Sequence, residues 1–98
     1  VYVLHHGGET QVKAMLLAEA MRDMGVRVMV HPNKGSLKSQ MKKADASGAQ
    51  YAVFATEDEL ASGTVSVKAL REGATTYAEQ TTVALSDAAQ AVATALKA

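Results

Sequence analysis

Tyr51-Ala52-Val53-Phe54-Ala55-Thr56 decides the fold. Successive side chains of a strand point to opposite faces, and here both faces are apolar. Such a run is buried on both sides and belongs at the centre of a sheet with helices packed over it. Immediately before it, Lys34–Gly48 carries Leu37, Met41, Ala44 and Gly48 at helical spacing, with Ser36 as cap and Gly35 freeing the turn into the helix. Immediately after it, Glu57-Asp-Glu-Leu-Ala-Ser-Gly63 is an acidic turn, and Thr64–Leu70 alternates as another strand.

Further out the pattern continues. Val1–His5 is a β-rich run, ended by the turn signal His6-Gly7-Gly8. Gln11–Met24 reads as a helix with Gly25 as its C-cap, and Val26, Val28 and Val30 alternate in a second strand that Pro32-Asn33 ends. On the other side, Glu72–Thr76 is a loop, Glu79–Ala84 a fifth strand, and Ser86 caps a last helix with Ala89, Val92, Ala93 and Leu96 inward. The order βαβαβ, then ββ, then α predicts an α/β fold. Its sheet is mixed and five-stranded: three parallel strands joined by right-handed crossovers, two antiparallel strands added at one edge, and three helices.

Ninety-eight residues make one domain, 1–98. Because Val1 opens directly into a strand pattern, with no initiator methionine, this domain is expected to be part of a longer protein. Formal net charge is zero, so the chain is no globally basic nucleic-acid coat. It has no cysteine, which excludes a disulfide framework, a thiol nucleophile and a thiolate metal site. No apolar run approaches the ~20 residues that span a bilayer, and no signal-peptide pattern appears. A cytoplasmic setting is expected. The first helix carries a surplus: Ala14, Leu17, Ala18, Met21 and Met24 make one core stripe, yet Val12, Met15, Leu16 and Ala20 lie on other sides. Either the helix is buried deeply in its own domain, or these residues meet another domain or subunit.

Neutral net charge hides a local field. Between His31 and Ala44 stand Lys34, Lys38, Lys42 and Lys43 and no acid. A solvated helix face would explain lysines alone. Their position favours more, because this helix starts, and the acidic turn begins, at the carboxyl ends of neighbouring parallel strands, where ligands commonly bind in open α/β sheets. Lysines for phosphates beside a carboxylate for a base edge suit single-stranded RNA; guanine offers N1–H and N2–H₂ as donors to such a carboxylate. Aromatic platforms are few (Tyr2, Tyr51, Phe54 and Tyr77), so stacking is not expected to dominate.

Other chemistry is weaker. His5-His-Gly-Gly-Glu9 lies between strand and helix, where doubly wound folds hold phosphates, but it matches no phosphate-loop fingerprint, and Glu9 would repel a phosphate. His5, His6 and His31 have no metal-ligand spacing and read as strand-end histidines. Glu57, Asp58 and Glu59 lack a nearby nucleophile.

Four stretches carry a resemblance: Leu16-Leu-Ala-Glu-Ala-Met-Arg-Asp-Met-Gly25, Gly35-Ser-Leu-Lys-Ser-Gln-Met-Lys-Lys-Ala-Asp45, Tyr51-Ala-Val-Phe-Ala-Thr-Glu-Asp-Glu-Leu60 and Gly63-Thr-Val-Ser-Val-Lys-Ala-Leu70, followed by Glu79-Gln80 leading into Val83. The chain resembles the C-terminal anticodon-binding domain of bacterial histidyl-tRNA synthetases, one of the class II anticodon-binding domains. The resemblance implies recognition of the histidine tRNA, anticodon GUG, through its anticodon stem-loop. It implies that Glu59 and Lys68 read anticodon bases, and that Ser36, Lys38, Gln40, Lys42 and Lys43, with Lys34 before them, meet the anticodon loop. The catalytic domain of the parent would be a separate ATP- and magnesium-dependent ligase, typically dimeric; this domain itself would hold no catalytic site and no cofactor. Thr56 departs from the family's usual glycine, and the loop from Glu72 to Ala78 is longer than usual. Two alternatives stay open: a flavodoxin-like phosphate or small-molecule domain using His6–Glu9, and a synthetase-like paralogue acting as an interaction domain.

Overall fold

A computed structural model of the chain describes residues 1–7, 10–31, 36–71 and 77–97. The expected Gly8-Glu9 turn, the Pro32-Asn33 strand end, Lys34, Gly35 and the loop 72–76 lie outside the described residues. Nine elements follow in order: β1 (Tyr2–His6), α1 (Thr10–Asp23), β2 (Met29–Val30), α2 (Leu37–Ala46), β3 (Tyr51–Thr56), α3 (Glu57–Ala61), β4 (Thr64–Ala69), β5 (Thr81–Ala84) and α4 (Leu85–Lys97). The sheet runs β2-β1-β3-β4-β5, with β3 central as its two apolar faces require. β1 pairs in parallel with β2 and β3, whereas β3–β4 and β4–β5 are antiparallel.

The two faces of the sheet are covered unequally. Val3, Val53, Ala55, Val65 and Val67 pack against α1 and α4 through Ala14, Leu17, Met21, Ala88, Ala89 and Val92. On the other face Tyr2, Leu4, Ala52 and Phe54 take α2 through Leu37, Met41 and Ala44. That helix lies over β1 and β3 rather than over β4 and β5.

Local chemistry sets the boundaries. α1 ends in a Schellman motif: the amide of Gly25 donates to the Arg22 carbonyl (2.9 Å) and that of Val26 to Met21 (3.0 Å), with Gly25 at φ +83°. Val26 is thereby used as a cap, and Arg22 Nη2 donates to the Val28 carbonyl (3.0 Å). β2 has two residues where the alternation predicts six, 26–31; Val26 is spent on the cap, while Val1 still bonds this segment, its amine donating to the Arg27 carbonyl (3.0 Å) and its carbonyl accepting from the Met29 amide (2.9 Å). Met24, expected in the core stripe, is exposed past the end of the helix, and Gly48, expected on the α2 stripe, is an exposed residue beyond that helix. The acidic turn is a short helix, because Glu57, Asp58 and Glu59 all sit in a first turn whose free N–H groups favour negative charge. Thr56 precedes it with extended backbone (φ −85°, ψ 159°), a conformation that needs no glycine. Ser86 lies inside the first turn of α4 and is not its cap; the helix starts directly from β5, where the Leu85 amide donates to the Gly63 carbonyl (2.8 Å). β5 begins at Thr81, two residues later than expected, after Tyr77 turns the chain at φ +57°.

Val12, Met15, Leu16 and Met29 are each more than half exposed. Of the surplus of α1, Ala20 packs partly buried against the core, whereas Val12, Met15 and Leu16 are not buried by the described part of their own domain, and Met15 and Met29 line one groove beside the short β2 edge. No helix among the described residues is long and apolar enough to cross a membrane.

Candidate nucleic-acid interface

The carboxyl ends of β1, β2 and β3 share one rim of the sheet. α2 starts there after β2, and α3 starts there after β3. Ser36 caps α2 as its sequence suggests: its backbone is extended, and its Oγ accepts from the Ser39 amide (3.1 Å). At the same rim Gly7 has φ +88°, and a Cβ built on it would lie 2.7 Å from Glu57 Oε2. Only glycine fits, and the space above it holds a carboxylate. That charge disfavours phosphate at this end of β1, against the flavodoxin-like alternative.

α2 divides its polar residues between two flanks. Asp45 faces β4, since Arg71, just past that strand, donates to its Oδ1 (3.2 Å) and to its carbonyl (2.8 Å). Lys38, Lys42 and Asp45 stand at i, i+4 and i+7 and form one stripe on that side. Lys43 falls about 100° round the helix from Lys42. Its charge acts on His31, beyond β2, so it belongs to the opposite flank. Lys38, Lys42, Lys43 and Lys68 take part in no ion pair among the described residues.

Gln40 is not on either flank. It is fully buried: its Oε1 accepts from the His5 amide (3.0 Å), and its Nε2 donates to the His5 carbonyl (2.7 Å). β2 pairs only as far as Val3, so the outward backbone groups of His5 would be stranded, and Gln40 supplies the missing strand partner. The expectation that Gln40 meets RNA gives way to this structural place. Around it, His5 Nε2 donates to the His31 carbonyl (2.8 Å) and Tyr2 Oη lies 2.7 Å from His31 Nδ1. Burial, then the charges of His5 and Lys43, pushes the His31 imidazole down from its ordinary value. Burial also raises the Tyr2 phenol. Among the described residues no group of three His, Asp or Glu could hold a metal ion.

Glu59 and Lys68 lie on the same side of β4, on the part of that face that α2 does not cover and that Glu59 of α3 reaches. Phe54 pairs with Ser66 and Ala52 with Lys68, so Ser66 and Lys68 share the α2 face of β4, roughly 7 Å apart along the strand. Thr82, opposite Ser66 on β5, is exposed on the same face. Glu59 reaches down from α3: Ser66 Oγ donates to its Oε1, and Thr64 Oγ1 donates to its carbonyl (3.2 Å). Glu59 Oε2 is enclosed and finds no hydrogen-bond partner. The result is a sheet face not covered by α2, with Glu59 over Ser66 at the rim, Lys68 further down, and Lys38 and Lys42 alongside on α2. Two grooves of the surface open elsewhere, and none of these four residues lines either. Ser66 and Thr82 are additions to the expected set; strand alternation placed them on this face, but nothing in the sequence joined Ser66 to Glu59.

An open sheet with cations on one border and a carboxylate at the rim suits an extended anionic ligand with readable edges. A family model described as an anticodon binding domain matches residues 1–95. The chain belongs to the anticodon binding domain family. It is 49% identical over 85 residues to a histidine–tRNA ligase of Ralstonia nicotianae, covering 83% of this chain and 20% of that protein. It is 46% identical over 94 residues to the corresponding ligase of Methylobacillus flagellatus, covering 96% of this chain and 22% of that one. The chain thus spans about a fifth of the length of the curated relatives it matches. Among solved structures, the histidyl-tRNA synthetase of a Nostoc species superposes with TM-score 0.78 at 27% identity, over 97% of this chain and 22% of that chain. The RNA binding domain of a Cryptosporidium parvum threonyl-tRNA synthetase shares the fold, with TM-score 0.76 at 15% identity. Family membership accounts for the five-stranded mixed sheet and for the order of its elements.

Proposed function

We propose that this domain reads the anticodon of histidine tRNA for a histidine–tRNA ligase of which it is one part. The observation that carries the proposal is the face of β4 and β5 that α2 leaves uncovered, which holds both Glu59 and Lys68 beside the Lys38–Lys42 stripe of α2. Lys38 and Lys42 meet backbone phosphates, and Ser36, at the cap of α2, meets the loop close by. Lys68 and Glu59 read base edges, the carboxylate taking donors from guanine. Lys43, on the other flank, keeps its assignment from the resemblance alone, and its contribution is expected to be small. Lys34 keeps its assignment from the resemblance alone.

ATP and magnesium, which a histidine–tRNA ligase uses, are assigned to the remainder of the proposed ligase. The exposed Val12, Met15, Leu16 and Met29 surface is where that catalytic body docks, and the ligase is a homodimer. Support for the histidine assignment comes from the curated relatives, each named as a histidine–tRNA ligase.

The test is binding of this chain to a GUG anticodon stem-loop and to the same hairpin with a scrambled anticodon, each at two salt concentrations. A preference for GUG, with both affinities falling as salt rises, is expected. Equal affinity for both hairpins would overturn the assignment of base reading to this face.

A further inference from the structure

Resting on that reading, we propose that Ser66 is a positioning residue for anticodon discrimination: its hydroxyl fixes the Glu59 carboxylate in the orientation that meets the base edge. Glu59 has three side-chain torsions and stands on a helix of five residues, a mounting that by itself leaves its carboxylate free to swing. β4 holds it at two points two residues apart on one strand face. Thr64 Oγ1 bonds the Glu59 carbonyl, and Ser66 Oγ bonds Oε1. Ser66 is almost completely buried, so its hydroxyl has little access to water as an alternative acceptor.

The arrangement is asymmetric. A hydroxyl has one proton to give, and Ser66 gives it to Oε1. Oε2 is left enclosed and without a donor. A carboxylate oxygen in that state is unfavourable unless something supplies a donor. A base edge with N–H groups is such a supply once it parts the contacts that enclose Oε2, and Lys68 stands two residues along the same strand face. Ser66 therefore decides which oxygen is occupied internally and which is left for the ligand. A serine that merely satisfied its own hydroxyl would serve as well on any carbonyl; here it serves the side chain to which base reading is assigned.

The experiment uses this chain and the two hairpins above, with Ser66→Ala, Ser66→Thr, Glu59→Ala and the double variant Glu59→Ala/Ser66→Ala, all checked for folding by thermal unfolding. Ser66→Ala should lose most of the GUG preference, about 5- to 100-fold if one base-edge contact is at stake, while affinity for the scrambled hairpin stays within about twofold. Ser66→Thr keeps the hydroxyl and should restore the preference. In the Glu59→Ala background, Ser66→Ala should change nothing further. Wild-type preference in Ser66→Ala, an equal loss in both backgrounds, or a Ser66→Thr variant no better than Ser66→Ala would each overturn the inference. Should Ser66→Ala fail to fold, Ser66→Thr against Ser66→Val decides: preference kept by Thr and lost by Val supports it, any other pattern overturns it. If the wild type shows no preference, or Glu59→Ala retains all of it, the proposed base reading by Glu59 falls and this inference with it. Loss in Glu59→Ala but not in Ser66→Ala removes this inference alone.

Discussion

Gln40 and Glu59 are both long polar side chains drawn down onto the same face of the sheet, and their surroundings differ in one respect. Gln40 is closed off with both ends of its amide used: it receives the His5 amide and gives to the His5 carbonyl. Glu59 has one oxygen held by Ser66 and the other enclosed with nothing to accept. The first is a complete circuit that finishes a sheet edge. The second is an incomplete one, stable only as part of something larger. Where a buried polar group is fully satisfied it specifies structure; where it is left short, it is a place to look for a ligand. Identical chemistry read from the sequence, a polar residue near lysines, splits into two roles once the backbone is in place.

The sharpest way to break the comparison is Gln40→Leu. It strands the amide and carbonyl of His5 together, and each orphaned buried group costs about 1–3 kcal/mol. A loss of roughly 2–4 kcal/mol in urea unfolding is expected, with GUG preference intact in whatever fraction stays folded. A variant of wild-type stability with weakened RNA binding would put Gln40 back at the interface. Glu59→Ala should do the opposite: discrimination at one anticodon base relaxes by about 1–3 kcal/mol, while unfolding loses only the single Ser66 bond, about 1 kcal/mol and less than the pair lost with Gln40. If instead Glu59→Ala weakened every RNA equally, the carboxylate would not be a base reader.

Much of this was legible in the chain. Tyr51–Thr56 declared itself central, the alternation of Thr64–Leu70 put Ser66 and Lys68 on one face, and Ser36 marked the start of α2. The fate of Gln40 was also partly written there: 37, 40, 41 and 44 share one arc of a helix, so a buried place for it follows from the same periodicity that buries Ala44. What could not be read was the vacancy it fills. Val26, which the alternation gives to the strand, is spent on the Gly25 cap of α1, a contact set by that helix rather than by the strand's own alternation, and β2 is left with Met29 and Val30. The Ser66–Glu59 bond is hidden for the same reason, since it depends on the acidic segment forming a helix whose third residue reaches back to β4.

The closed region around Gln40 should also respond to acid. His31 packs there, within hydrogen-bonding distance of Tyr2 and with the charges of His5 and Lys43 near it, and its pKa lies below the ordinary value of about 6.5. The unfolded chain therefore takes up the proton first. The stability that neutral His31 contributes is complete above about pH 6.5 and is lost as pH falls through that value toward the folded pKa. Urea midpoints measured from pH 7.5 to 5 should fall, and His31→Gln should flatten the fall. An unchanged slope in that variant would place the acid sensitivity elsewhere, outside the Gln40 region.

The smallest effect sharpens the comparison most, because it uses two adjacent lysines. Lys42 lies on the stripe beside β4, with Glu59 and Lys68 across the open face, whereas Lys43 lies on the flank near His31. If RNA runs along the uncovered half of the sheet, Lys42→Ala should weaken GUG and scrambled hairpins alike and lower the salt-dependence slope by about one. Lys43→Ala should leave the slope nearly unchanged, although it carries the same charge one residue away. Net charge falls by the same amount in both variants, so a general electrostatic attraction predicts equal losses. Unequal losses require that the ligand pass one side of α2, and that side is the one where a carboxylate has been left incomplete.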